Sequence, residues 1–282
     1  MEKAMRKKDG NKGGLFLADV DGTLVNPKKE LTRRALQAVR DITDAGLTFS
    51  IVSGRPPRGM KSVIDQLSLK VPCGAFNGAA VIQPDLTVIK KHVLNCEIAK
   101  KTTQIIDRLG IDYWIYHELD WYVRDKNAPH VANEQDTVHF SPKSVENFNP
   151  LLKNEFKDGV YKIVAVCDDR SKLEECAKSL NQELAGKVRA AFSQSYYLDI
   201  THPDANKGTL VKELCRLLSL STDQVTTIGD MENDLFMFKQ SRLSIAMGNS
   251  TDEVKKASDH VTGPNYRDGF AEAVEYLLKK QA

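Results

Sequence analysis

The feature that most restricts what this chain can fold into is a rhythm of short apolar runs alternating with stretches of helical period. It occurs at both ends of the sequence and lapses in the middle. Leu15-Phe16-Leu17-Ala18 is an apolar run of strand length, and Thr32–Ala45 then carries Leu36, Val39 and Ile42 at helical spacing. Phe49-Ser50-Ile51-Val52 predicts the next strand, Met60–Leu67 the next helix and Gly74-Ala75-Phe76 a third short strand. Strand–helix–strand order implies parallel βαβ units with right-handed crossovers. The rhythm returns late: helix Gly208–Leu218, strand Val225–Ile228, helix near Asp234–Lys239, strand Leu243–Ala246, then helices near Glu253–Ala257 and Phe270–Lys279.

Between these halves the texture changes. Tyr113-Trp114-Ile115-Tyr116 and Trp121-Tyr122-Val123 read as an aromatic hairpin, flanked by helical stretches Ile98–Leu109, Val145–Leu152 and Leu173–Leu184 and a strand run Tyr161–Val166. Strands adjacent in sequence favour an antiparallel α+β unit. The expected fold class is therefore α/β: a doubly wound, Rossmann-like parallel sheet from residues 15–83 and 191–282, with an α+β unit, residues 84–190, inserted into it. Residues 1–14 are expected to be a flexible leader.

Composition narrows the function. The chain has 282 residues, room for about two domains, and 40 Lys+Arg against 38 Asp+Glu. So even a balance argues against a dedicated nucleic-acid binder. Much of the excess is local, because Lys3, Arg6, Lys7, Lys8 and Lys12 face only Glu2 and Asp9 in the leader. Five cysteines without a CxxC pair speak against a disulfide framework or zinc knuckle. The six histidines show no HxxxH or HExxH spacing, so no histidine metal site is expected. No apolar run reaches the ~18–20 residues of a membrane span. Neither a membrane nor a nucleic acid is expected as partner, and the cytoplasm is the default location.

Chemistry concentrates at strand ends. Asp19-Val20-Asp21-Gly22-Thr23 directly follows an apolar run, and two carboxylates two apart at a strand's carboxyl end point the same way if the chain is extended. In an open α/β sheet that edge is where ligands bind. Gly229-Asp230-Met231-Glu232-Asn233-Asp234 follows another such run, giving hard oxygen donors suited to Mg²⁺. Ser53-Gly54-Arg55 sets a hydroxyl and a glycine N–H where a phosphate oxygen could sit. Lys207-Gly208 opens a helix, where a cation is unfavourable unless an anion is held nearby. Each of these has a plain reading as well: turn residues, helix-start acids, a solvated lysine.

Together the four signals resemble the four motifs of the haloacid dehalogenase superfamily: DxDGT, a Ser or Thr after the second strand, a helix-opening Lys, and GDxxND. The resemblance spans the chain beyond the leader and is closest to the Cof-type subfamily, with a type IIB cap inserted between the second and third motifs. Phe76-Asn77-Gly78-Ala79 and Ala246-Met247-Gly248-Asn249 also resemble family signatures. The resemblance implies a Mg²⁺-dependent phosphatase working through an aspartyl-phosphate on small phosphorylated metabolites, sugar phosphates favoured. It implies Asp19 as nucleophile, Asp21 as acid/base, and Ser53 and Lys207 as phosphate-stabilising catalytic residues. Asp19, Asp21 (by its carbonyl), Asp230 and Asp234 would hold the metal, with Asp234 alternatively holding Lys207. Gly54, Arg55, Asn77 and Asn233 would contact phosphate or substrate, with Asp199 and His202 as further candidates. In the hairpin, Trp114, Tyr116, His117, Trp121, Tyr122, Arg124, Lys126 and His130 either line a ligand or simply fill and coat the cap. A phosphomannomutase-like enzyme reads Gly-Gly-Ser where this chain has Ser53-Gly54-Arg55, and a catalytically silent relative would lack one of the key residues; neither departure is present.

Overall fold

The computed structural model describes residues 13–281. The leader expectation therefore lies largely outside the described residues; at its end, the Gly14 carbonyl accepts the Thr48 N–H at 2.8 Å. The strands among the described residues run in chain order. They are β1 (Leu15–Asp19), β2 (Thr48–Val52), β3 (Cys73–Ala75), β4 (Ala80–Ile82), β5 (Val88–Lys91), β6 (Asp112–His117), β7 (Asp120–Val123), β8 (Lys143–Ser144), β9 (Lys162–Val166), β10 (Arg189–Gln194), β11 (Tyr197–Thr201), β12 (Val225–Gly229), β13 (Leu243–Ala246) and β14 (His260–Val261).

An eight-stranded sheet has the order β14-β13-β12-β1-β2-β3-β4-β5. Its pairings are parallel from β14 through β3 and antiparallel from β3 to β5. The α/β reading of the sequence holds. β1 is central because its side chains are apolar on both faces. Phe16 and Ala18 pack with Ala35, Val39 and Ile42 of helix Arg33–Asp44 and with Phe270, Val274 and Leu277 of helix Gly269–Gln281. Leu15 and Leu17 pack the other way, against Leu210, Val211 and Leu214 of helix Lys207–Leu218. That alternation is the period-two geometry of a strand, and each of the larger side chains, Phe, Leu, Ile or Val, contributes roughly 1.5–3 kcal/mol by leaving water.

A six-stranded sheet has the order β10-β11-β9-β6-β7-β8, antiparallel except at β7–β8. Its two faces divide the hairpin aromatics. Tyr113 and Ile115 bury against Phe148, while Trp114 meets Trp121 and Tyr197 at 5.3 and 5.2 Å between ring centroids. Tyr116 and Tyr161 close on Phe76, at 5.5 and 5.0 Å, fastening this sheet to the loop after β3.

Two boundaries differ from the sequence reading. Residues 191–201, expected with the parallel core, complete β10 and form β11 of the six-stranded sheet. Tyr197, Leu198 and Ile200 bury there beside β9, with Leu198 opposite Ala165. Conversely β5, expected in the insert, is the edge of the eight-stranded sheet, paired with β4. The chain thus passes from one sheet to the other through residues 92–95 and returns through residues 202–206. Among the described residues, no helix is long and apolar enough to cross a membrane.

Candidate active site

The carboxyl edge of the parallel strands gathers the motif residues. Asp19 ends β1, Ser53 follows β2, Asn77 follows β3 and Asp230 follows β12. After Asp19 the chain makes a tight turn over Val20–Leu24, kinked at Asp21 and Gly22. Gly22 has φ +84°, and a Cβ there would lie 2.2 Å from Asp230 Oδ2, so only glycine lets the first loop lie against the second carboxylate.

Lys207 is the hub. Its ammonium donates to Asp19 Oδ1 at 2.6 Å and Asp234 Oδ1 at 2.5 Å, with only 2% of the lysine exposed. Two carboxylates thus answer the oddity of a cation opening a helix. Burial alone would lower the lysine, but the Asp19 and Asp234 charges outweigh it and hold it above its ordinary value, permanently charged. Asp234 has its second oxygen taken too, accepting the N–H groups of Asp230 and Met231, each at 2.8 Å.

Three acids share that one cation. Oxygens of Asp19, Asp230 and Asp234 lie within 4.8 Å of one another. Burial, only partly offset by Lys207, raises Asp19 well above the usual carboxylate range. Burial and the neighbouring Asp234 push Asp230 up to about 6. Thr23 Oγ1 donates to Asp230 Oδ1 at 3.0 Å, and Asn249 Nδ2 donates to the Gly22 carbonyl at 2.9 Å, bracing this group. Hard oxygens carrying uncompensated negative charge fit Mg²⁺. Asp19, Asp230, Asp234 and the Asp21 carbonyl are the candidates for direct contact, and Asp234 also holds Lys207 and two backbone N–H groups.

Asp21 is held by a fork. Arg55 donates from Nε to Oδ2 at 2.7 Å and from Nη2 to Oδ1 at 2.6 Å, and Lys29 adds a contact of 2.8 Å to Oδ1. Burial would raise Asp21, but the Arg55 and Lys29 donors and charges outweigh it and lower its carboxyl. Arg55, read from the sequence as a phosphate or substrate contact, therefore faces Asp21. Ser53 Oγ accepts the Arg55 N–H at 3.1 Å. Asn77, at φ +57°, accepts from Asn233 Nδ2 at 3.1 Å, and Asn233 Oδ1 is buried with no hydrogen-bond partner. Asp19, Asp21, Ser53, Gly54, Arg55, Asn77, Lys207 and Asn233 all line one cleft of about 260 Å³.

The cleft's other wall comes from the six-stranded sheet and the helix Val131–Val138. Lys162 stands 3.4 Å from Asp199 Oδ2 and 4.8 Å above the Tyr116 ring, and Asp199 Oδ1 is buried without a partner. Glu134 accepts the Tyr116 hydroxyl, and burial raises its carboxyl. Asp199 thus reaches the cleft, but most hairpin candidates do not. Trp114 and Trp121 are wholly buried, His117 Nδ1 bonds the Gly159 carbonyl, and Arg124 pairs with Asp107 and Asp112. His130 stacks on Tyr196 and pairs with Asp168, and Lys126 is exposed. Sequence reasoning gave no role to Lys29, Lys162 or Glu134, which carry no motif; Thr23 and Asn249 lay inside quoted signatures that could have marked them.

The model of the haloacid dehalogenase-like hydrolases matches residues 16–274. The chain belongs to this family. A Bacillus subtilis relative named 5-amino-6-(5-phospho-D-ribitylamino)uracil phosphatase YwtE is 25% identical over 282 residues, covering 93% of this chain and 97% of its own. The phosphoglycolate phosphatase of Methanobrevibacter smithii is 29% identical over 260 residues, covering 92% and 96%. The crystal structure of a haloacid dehalogenase-like hydrolase from Bacteroides thetaiotaomicron superposes with a TM-score of 0.84 at 26% identity, over 94% of this chain and 99% of that one. This hydrolase fits the Cof-type branch of the family.

Proposed function

We propose that this hydrolase is a cytoplasmic, Mg²⁺-dependent phosphatase of small phosphorylated metabolites, sugar phosphates foremost, acting through an aspartyl-phosphate. The observation that carries the reading is the buried Lys207 bridging Asp19 and Asp234 beside Asp230, with Asp19 and Lys207 opening onto the cleft. When bound among Asp19, Asp230, Asp234 and the Asp21 carbonyl, Mg²⁺ supplies the charge neutralisation that lets a carboxylate approach an anionic phosphate.

The chain's own residues then divide the work. Asp19 attacks phosphorus in line, forming an acyl-phosphate O–P bond as the ester P–O bond breaks. Lys207 faces the oxygens of the transferring group while its grip on Asp19 orients the nucleophile. Asp21 gives a proton to the leaving alcohol, then takes one from the water that attacks phosphorus and frees Asp19 and inorganic phosphate. Its low carboxyl suits the second duty. For the first, a dianionic phosphate arriving in the cleft competes for Arg55 and adds negative charge beside Asp21, and both effects raise it. Ser53 and Gly54 face the same phosphate, and Asn77 with Asn233 borders it. The names of the relatives support phosphate-ester cleavage but differ in leaving group. The polar wall of Lys162, Glu134 and Asp199 supports a hydroxylated one.

The test is phosphate release from a panel of phosphorylated metabolites with Mg²⁺. Wild type should release phosphate from at least one class, and Asp19→Asn should lose that activity. Full activity in Asp19→Asn removes Asp19 as nucleophile.

A further inference from the structure

We propose that His92, His202 and Asp204 form a site for a divalent transition metal, zinc in type, that clips together the two segments joining the sheets. His92 directly follows β5 on the outgoing segment, its N–H bound to the Ala79 carbonyl at 2.7 Å. His202 and Asp204 follow β11 on the returning segment. The imidazole rings stand 5.8 Å apart between centroids, and one donor atom from each of the three residues lies within 4.8 Å of the others.

The group is short of partners in a telling way. His92 Nε2 is buried and has no hydrogen-bond partner. A buried polar nitrogen left unmatched is costly, and a metal ion would satisfy it. Lys90, the nearby cation, is paired with Glu213 at 3.5 Å.

Two imidazoles and a carboxylate are a borderline donor set, unlike the all-oxygen active site, and three protein ligands with water in the fourth position is a familiar zinc arrangement. Donors around a tetrahedral zinc sit about 3.3 Å apart, given bonds of about 2.0 Å. Turning the exposed Asp204 side chain and the half-buried His202 ring would close the difference. His202 Nδ1 now accepts the Asp204 N–H at 3.1 Å, and that lone pair would turn to the ion while the exposed N–H turns to water. Any swing of the six-stranded sheet over the cleft must bend both segments, so an ion held by both restrains the swing.

The test uses full-length protein stripped with a chelator and returned to excess Mg²⁺, which occupies the carboxylate site. Co²⁺ serves as the optical probe. Wild type should bind one equivalent with the intense visible bands of a four-coordinate ion, and Zn²⁺ should displace it. At a hundredfold excess over its Kd, Zn²⁺ should also raise the melting temperature by roughly 5–10 °C. His92→Gln and His202→Gln should each weaken Co²⁺ binding at least a hundredfold and cut the Zn²⁺ shift to roughly 1–2 °C or less, whereas Asp19→Asn should keep both. Circular dichroism checks that each variant is folded, and the exposed Asp204→Asn, expected to weaken binding in the same way, stands in should a His variant not fold. Absence of the band in wild type, or a band and a thermal shift that survive both His substitutions, overturns the proposal.

Discussion

Replacing Asp234 by Asn keeps the shape and removes one charge, at a position with no solvent exposure. Its two oxygens accept three donors: the Lys207 ammonium and the N–H groups of Asp230 and Met231. An amide has one oxygen, so its NH₂ must face either the ammonium or the pair of backbone N–H groups, donor against donor. Breaking a buried ion pair from one side costs about 3–5 kcal/mol. At about 2–4 °C per kcal/mol for a chain of this size, that is about 6–20 °C in melting temperature. The informative assay is thermal or urea unfolding of wild type and Asp234→Asn, with Mg²⁺ and again with a chelator. Because three protein donors converge on Asp234 whether or not a metal is bound, the loss should persist when the metal is removed. A loss seen with Mg²⁺ but absent in the chelator would make Asp234 chiefly a metal ligand and refute the reasoning. A difference below about 1 kcal/mol in both conditions would refute it equally.

Three further outcomes can be checked. Asp21→Asn should lower kcat by about 10²–10⁴ while phosphate burst kinetics show the step that has slowed; an unchanged kcat removes the acid/base role. Gly22→Ala forces a side chain to φ +84° and into Asp230, so it should cost roughly 1–3 kcal/mol for the backbone alone and weaken Mg²⁺ binding at least tenfold by calorimetry. In chelator, burial-raised Asp230, about 6 in the folded state against an ordinary value of 3.8, favours the protonated form. Its contribution is full below the unfolded value and lost as pH rises through the folded one, on the order of 3 kcal/mol between pH 4 and 6, with Asp19 acting in the same direction. Asp21 has the opposite sign, but its contribution is lost only at lower pH, below the ordinary carboxylate value. Metal-free protein should thus gain stability as pH falls from about 7 to 5, and Mg²⁺ should flatten the trend.

What could be read from sequence was what local physics dictates. β1 and β13 are apolar runs because they are sheet-interior strands covered on both faces, and Leu243–Ala246 matches its expected range. The helix Lys207–Leu218 was legible from its apolar period, and Lys207 stood out as a site residue because a cation contradicts the dipole there. β4 has only three residues and β5 is an edge strand with Ile89, Lys90 and Lys91 exposed, so neither carries a clear pattern. Residues 191–201 looked like core because only pairing with β9, distant in sequence, decides their sheet. For the same reason the Arg55–Asp21 fork and the His92–His202 pair were invisible: spacing tests see neighbours along the chain, and these meet only through the fold.

The nesting of one sheet within the chain of the other bears on synthesis. β1 is flanked by β2 and β12, and the partners of Asp19 arrive only with Lys207 and Asp230. At about 5–20 residues per second, roughly 10–40 s separate the translation of Asp19 from that of Asp230. In that interval the strands of residues 112–201 emerge complete and can pair among themselves, while β1 lacks its second neighbour. The acidic turn after β1 is then an open loop, without the lysine that organises it. The nascent chain should become competent for chemistry only after β12 docks, so a ribosome stalled after residues 112–201 have emerged but before β12 has would display a folded six-stranded unit above an unfinished and inert floor.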